Sequence, residues 1–168
     1  MKKNTIPDRP VPEKPVETVI PREKAVFRLD GRGRWCNAHG VFRNPRISAY
    51  FHSAIRRDEG GYHVCQAHGD RVEKVYFPYE DTALFAVDVD LCEEIRLRLN
   101  TGRELRLDPA ELFAAGDSLY MTCDGERIKF SERAMLKLAE VMEFPEEGYF
   151  IRFRGRCHRI REAGGSDG

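Results

Sequence analysis

Two adjacent carboxylates, Glu80 and Asp81, stand in the middle of the mostly apolar stretch "VYFPYEDTALFAV". Ionised acids in such a place can contact a ligand or a metal. They can equally accept backbone N–H bonds and pair with an arginine, fixing how two segments meet. Arg152, Arg154 and Arg156 recur at every second position. On a regular strand their three guanidinium groups would share one face and suit phosphate or carboxylate, or pair with nearby acids. His158 and Arg159 extend that patch.

Cys36-x-x-His39 and Cys65-x-x-His68 have ligand types that could complete a tetrahedral zinc site. The order is not that of a standard finger, however, and Cys36 and Cys65 also read as small apolar residues on strands. His39 and His68 then fall on turns, and no metal is expected. Cys157 and His158 are neighbours on a strand, so they point to opposite faces and make no nucleophile–base pair. No phosphate loop, dinucleotide glycine fingerprint or G-x-S-x-G is present. An enzyme, hydrolytic or metal-dependent, therefore ranks behind the binding readings, and no cofactor can be named.

The chain has 168 residues, 28 basic and 28 acidic, for a formal net charge of zero. That balance argues against a general nucleic-acid or anionic-membrane binder. No apolar run approaches a membrane span, and "MKKNTIPDRPVP" has no apolar stretch behind its lysines, so no secretory signal is expected. Five cysteines without dense spacing fit a reduced, cytoplasmic protein. Locally the charge is uneven: residues 25–57 carry seven arginines against one acid, 73–94 seven acids against one lysine, and 150–162 five arginines against one acid. An acidic centre between two basic segments could zip two halves together.

The elements that must position these groups follow from pattern. Prolines at 7, 10, 12, 15 and 21, interleaved with charges, make 1–24 a disordered or extended arm. Residues 161–168 read as a flexible tail. Between them, Asn44 and Pro45 open a helix whose Ile47, Tyr50, Phe51, Ala54 and Ile55 form a stripe that Gly60 and Gly61 end. Ser131 caps a second helix with Met135, Leu138, Ala139 and Met142 on one face. A short helix is expected at "PAELFAAG", and strands fill the rest, with an Asp124–Gly125 hairpin turn.

The two capped helices have similar surroundings. Gly40 precedes Tyr62 by 22 residues and Gly125 precedes Tyr149 by 24. The expected fold is therefore α+β, two related strand-helix-strand units with small antiparallel sheets, over 25–79 and 80–160, packed together because each is marginal alone.

The segments "GRGRWCNAHGVFRNPRISAYF" and "GGYHVCQAHGDRVEKVYFPYEDTALFAV", with the second helix and "GYFIRFRG", resemble the bacterial domain of unknown function 1285 family. The matching positions are Trp35, Gly40, Gly61, Tyr62, Glu80, Asp81 and Phe85; the chain departs in having "EDTALF" where the family usually shows "EDAPF". The resemblance implies a duplicated α+β fold, a ligand pocket between the halves, a nucleotide-like ligand and a signalling role. The leading expectation is a small-ligand-binding regulatory protein. Its candidate ligand contacts are Glu80, Asp81, Trp35, Arg152, Arg154 and Arg156. The alternative is a protein-interaction or adaptor module that takes a protein partner and no small ligand.

Overall fold

The computed structural model describes residues 14–164. The chain runs through β1 (Val16–Ile20), β2 (Phe27–Leu29), β3 (Trp35–Asn37), β4 (Gly40–Val41), α1 (Pro45–Ser53), β5 (Ile55–Asp58), β6 (Gly61–His68) and β7 (Arg71–Tyr76). It continues through β8 (Leu84–Asp90), β9 (Arg96–Leu99), β10 (Glu104–Arg106), β11 (Leu112–Ala115), β12 (Ser118–Cys123), β13 (Glu126–Phe130), α2 (Glu132–Leu138), β14 (Met142–Glu143), β15 (Phe150–Phe153), β16 (Arg156–Arg159) and β17 (Arg161–Glu162).

These strands build four sheets, in the orders β1-β7-β6-β5, β2-β3-β4, β14-β15-β16 and the seven-stranded β10-β9-β8-β13-β12-β11-β17. The fold is mostly β, and the expectation of an α+β fold in two related strand-helix-strand units is corrected. The hairpin before α1 belongs to its own three-stranded sheet, whereas the hairpin before α2 lies inside the seven-stranded one. Two antiparallel meanders, β8–β10 and β11–β13, merge because β13 pairs parallel to β8, with Ile128 opposite Leu84. That long-range pairing leaves no trace in local periodicity.

Two hydrophobic cores result. One gathers Phe27, Leu29, Trp35, Val64, Val75, Phe77 and Phe85. The other gathers Leu84, Ala86, Leu97, Leu112, Met121, Ile128, Leu138 and Ile151. Successive residues of β8 alternate between them, Leu84 and Ala86 to the second core, Phe85 to the first. A strand buried on both faces reads as a continuous apolar run, and this is why "ALFAV" shows no polar alternation. The β2–β3 turn completes the joint. Asp30 accepts from the N–H groups of Arg32 and Arg34, and Gly33, at φ +78°, lies so close that an added Cβ would stand 3.0 Å from the Phe85 ring.

Other expectations change in detail. Residues 1–13 of the expected arm lie outside the described residues. Val16–Ile20 is a strand that runs parallel to β7. Its side chains are mostly exposed, so main-chain bonding holds it and burial contributes little. In the tail, Arg161 and Glu162 pair with β11, and 165–168 lie outside the described residues. Asn44 does cap α1, accepting from Arg46 and Ile47, but the helix ends at Ser53. Phe51 packs on the first core while Ile47 and Tyr50 stay exposed. Gly60 and Gly61 instead turn β5 into β6. The helix expected at "PAELFAAG" is a single 3-10 turn, Pro109–Glu111, followed by β11. No helix among the described residues is long and apolar enough to cross a membrane.

Candidate functional site

The seam between the two cores is held at three places. The first is Glu80–Asp81–Thr82. Glu80 faces the first core's β2–β3 turn, accepting from Arg28 Nη1 at 2.6 Å and from the Gly31 N–H at 2.9 Å. Asp81 faces the seven-stranded sheet. Its Oδ2 accepts from the Tyr120 hydroxyl at 2.7 Å and meets Lys129 Nζ at 3.0 Å, while Oδ1 lies 3.3 Å from Arg127 Nη2. Lys129 Nζ also donates to the Gly31 carbonyl at 2.8 Å, and Thr82 Oγ1 to the Arg127 carbonyl at 2.6 Å. Burial pushes the Asp81 carboxyl up, but the bonds from Tyr120 and Lys129 and the charge of Arg127 outweigh it, and the pKa falls below the ordinary aspartate value. The Arg127 guanidinium lies over the Tyr120 ring, 4.1 Å from its centroid, and so covers the Asp81 bond.

The second tie is His52 on α1. Its Nδ1 accepts from Asn100 Nδ2 at 3.1 Å, and Asn100 also accepts from the Phe85 N–H and donates to the Ala83 carbonyl. Burial lowers the His52 pKa to about 4, only partly opposed by a backbone hydrogen bond with Gly33. The imidazole is therefore neutral at pH 7, and it links α1, the β2–β3 turn and the β9–β10 turn.

The third place is an open cleft of about 470 Å³, lined by Arg56, Arg57 and Tyr62 of β5 and β6, by Arg103 of the β9–β10 turn and by Glu126 of β13. Glu126 sits in the middle, its side chain only 11% exposed. It accepts from the Tyr62 hydroxyl at 3.0 Å and from Arg103 Nη1 at 2.9 Å, with Arg57 Nη1 at 3.9 Å. Burial and the Glu126 carboxylate together raise the Tyr62 pKa, so the phenol remains a donor at any ordinary pH. Arg57 also lies over the Tyr62 ring, and Arg56 donates to the Ser53 and Ile55 carbonyls. Three guanidiniums against one carboxylate leave the cleft with a surplus of two positive charges.

The residues expected to contact ligand are not brought together. Glu80 and Asp81 lie on the seam but act as its bolts, and neither lines the Glu126 cleft. Trp35 is 1% exposed, packed edge-on against Phe27, Phe51 and Phe77 in the first core.

The arginine triplet does not share a strand face. Arg152 is on β15, where it pairs with Glu143; Arg154 and Gly155 form the hairpin turn with positive φ; Arg156 begins β16. The Arg154–Gly155 turn interrupts the strand between Arg152 and Arg156. Cys36 is buried in β3 and Cys65 sits in β6. Among the described residues no three His, Cys, Asp or Glu side chains are grouped to hold a metal.

Arg56, Arg57, Arg103 and Glu126 were not singled out by sequence. Their one signal was the arginine excess of 25–57, since the rest are single residues on separate turns and strands.

A mostly β protein with two cores and a polar seam is thus defined, and its fold has a solved counterpart. A DUF1285 family protein from Silicibacter pomeroyi DSS-3 matches at a TM-score of 0.59 and 16% identity, over 88% of this chain and 83% of that one. A DUF1285 family protein from Shewanella baltica OS155 matches at a TM-score of 0.47 and 17% identity, over 68% of this chain and 91% of that one. The chain resembles the DUF1285 family in its fold. No family model and no curated protein matches the sequence.

Proposed function

We propose that the protein binds a small organic anion of nucleotide type in the cleft between its cores, and that it works as a sensor or adaptor. The observation that carries this reading is the nearly buried Glu126 carboxylate, gripped by Tyr62 and Arg103 with Arg57 behind. A carboxylate needs such donors when removed from water, and the same donors match the oxygens of a phosphate. An incoming phosphate takes over Arg57 and Arg103 from Glu126. Because Arg57 belongs to the first core's sheet and Arg103 to the second sheet, exchanging one anion for another changes the tie between them. That exchange is the signal a sensor needs.

Thermal melts with AMP, ATP and inorganic phosphate at rising concentration test the proposal. A true ligand stabilises by about 2.7 kcal/mol at a hundredfold excess over its Kd, and Arg57→Ala or Arg103→Ala removes the shift. Unchanged melts with every anion refute it.

A second reading rests on α1, which leaves Ile47 and Tyr50 exposed, one turn apart. An apolar strip of this kind suits a protein partner, and in that case the anions leave the melt unchanged.

A further inference from the structure

A second cleft, of about 730 Å³, shares no residue with the first and lies between the β15–β16 hairpin and the segments around 93–95 and 106–109. β16 is the outer strand of its sheet, and the Pro109–Glu111 turn packs against it. Arg156 and His158, two positions apart, turn toward the cleft, with Phe153 and Ile151 as their cross-strand neighbours. Ile95, Leu107 and Ile151 close the floor, all 5% exposed or less.

The walls carry opposite charges. Arg154, Arg156 and His158 come from the hairpin, while Glu93 and Glu94 come from the turn before β9. Some of these groups are already engaged: Glu94 pairs with Arg96 and Arg106, Asp108 accepts from the Ala110 N–H, and Arg154 donates weakly to the Cys92 carbonyl. Glu93 and Arg156 are exposed, and among the described residues neither is held in an ion pair.

We infer that this cleft takes a short peptide with apolar side chains and free ends. The half-buried Phe153, beside the apolar floor, receives the apolar side chains. Arg156, with His158 beside it, meets the terminal carboxylate, and Glu93 meets the terminal ammonium. Walls of opposite sign favour a zwitterion over a simple anion, which distinguishes this cleft from the arginine-rich one on the seam.

Trileucine provides the probe, in four forms: free, N-acetylated, C-amidated and blocked at both ends. Each is titrated into the full chain by calorimetry. The free peptide is expected to bind best, and each single block to weaken it by about tenfold, the size of one charge-assisted contact. Arg156→Ala is expected to abolish the difference between acid and amide while keeping that between amine and acetyl; Glu93→Gln is expected to do the reverse. No binding at millimolar peptide, equal binding of all four forms, or discrimination that survives both substitutions overturns the inference. The comparison of the four peptides on the unaltered protein needs no variant, so a variant that fails to fold does not protect the idea.

Discussion

The Tyr120 hydroxyl donates to Asp81 Oδ2 at 2.7 Å, and through it the segment joining the two cores is fastened to the middle of the larger sheet. One residue earlier the attachment reverses, because the Glu80 carboxylate bonds to Arg28 of β2 and to Gly31 in the turn that follows it. Two neighbouring acids thus hold two different bodies of the fold.

Asp81 is the stronger of the two bolts. Asp81→Asn is expected to destabilise by about 1–3 kcal/mol, the cost of losing charge-assisted bonds from Tyr120 and Lys129. Glu80→Gln, at a pair with both side chains half-exposed, is expected to cost less than about 1 kcal/mol. The folded pKa of Asp81 is depressed, so its contribution is present above the unfolded value of about 3.9 and is lost as pH falls through the folded one. Denaturant melts of the two variants at pH 7, with Asp81→Asn repeated at acid pH, check both points. Equal losses for Glu80→Gln and Asp81→Asn would refute the division of labour.

His52 sets a second and separate pH dependence. It is a base whose folded pKa, about 4, lies below its ordinary 6.5. The unfolded chain therefore takes up its proton first. Stability from this group is complete above about pH 6.5 and declines as pH falls toward 4, by about 2–4 kcal/mol in all. His52→Gln should flatten that slope between pH 6.5 and 4.5, and a proton NMR titration should show the His52 ring neutral at pH 5.5. A ring that titrates near 6.5 would contradict the geometry around Asn100.

Glu126 separates stability from binding. Glu126→Gln weakens the grip of Arg57 and Arg103 on the seam and is expected to cost about 1–3 kcal/mol. The same change removes the anion that competes with phosphate, so anion affinity should rise while the melting temperature falls. A fall in both would mean that Glu126 helps hold the ligand.

Removal of residues 1–23 tests β1. Its ladder to β7 spans five residue pairs, and Glu17 meets Lys74 at 2.8 Å, yet only Ile20 packs on a core. The shortened chain is expected to keep a cooperative melt at a lower temperature. Loss of cooperativity would show that the first core cannot stand without this strand.

What could be read in advance was local. Asn44 and Ser131 announced their helices through capping, and Asp124–Gly125 announced its hairpin, because each acts over three or four residues. The position of Glu80 and Asp81 was legible too, since the apolar segments on both sides had to be buried. β1 was hidden because "VETVI" buries almost nothing and lies among prolines. The seven-stranded sheet was hidden because β8 and β13 are partners across more than forty residues, which no periodicity records. The Glu126 cleft was hidden for the same reason: it exists only where β5, β6, β9–β10 and β13 converge.

The parallel junction of β8 with β13 also sets an order of events. Each meander can form as soon as its own hairpins leave the ribosome, but β8 must wait with one edge bare until residues 126–130 are made. Non-local pairings of this kind are slow to form, and an unprotected strand edge is where nascent chains adhere to one another. The strand that divides the finished cores is therefore a vulnerable part of the unfinished chain, and the protein's yield in cells should depend on how quickly β13 emerges to cover it.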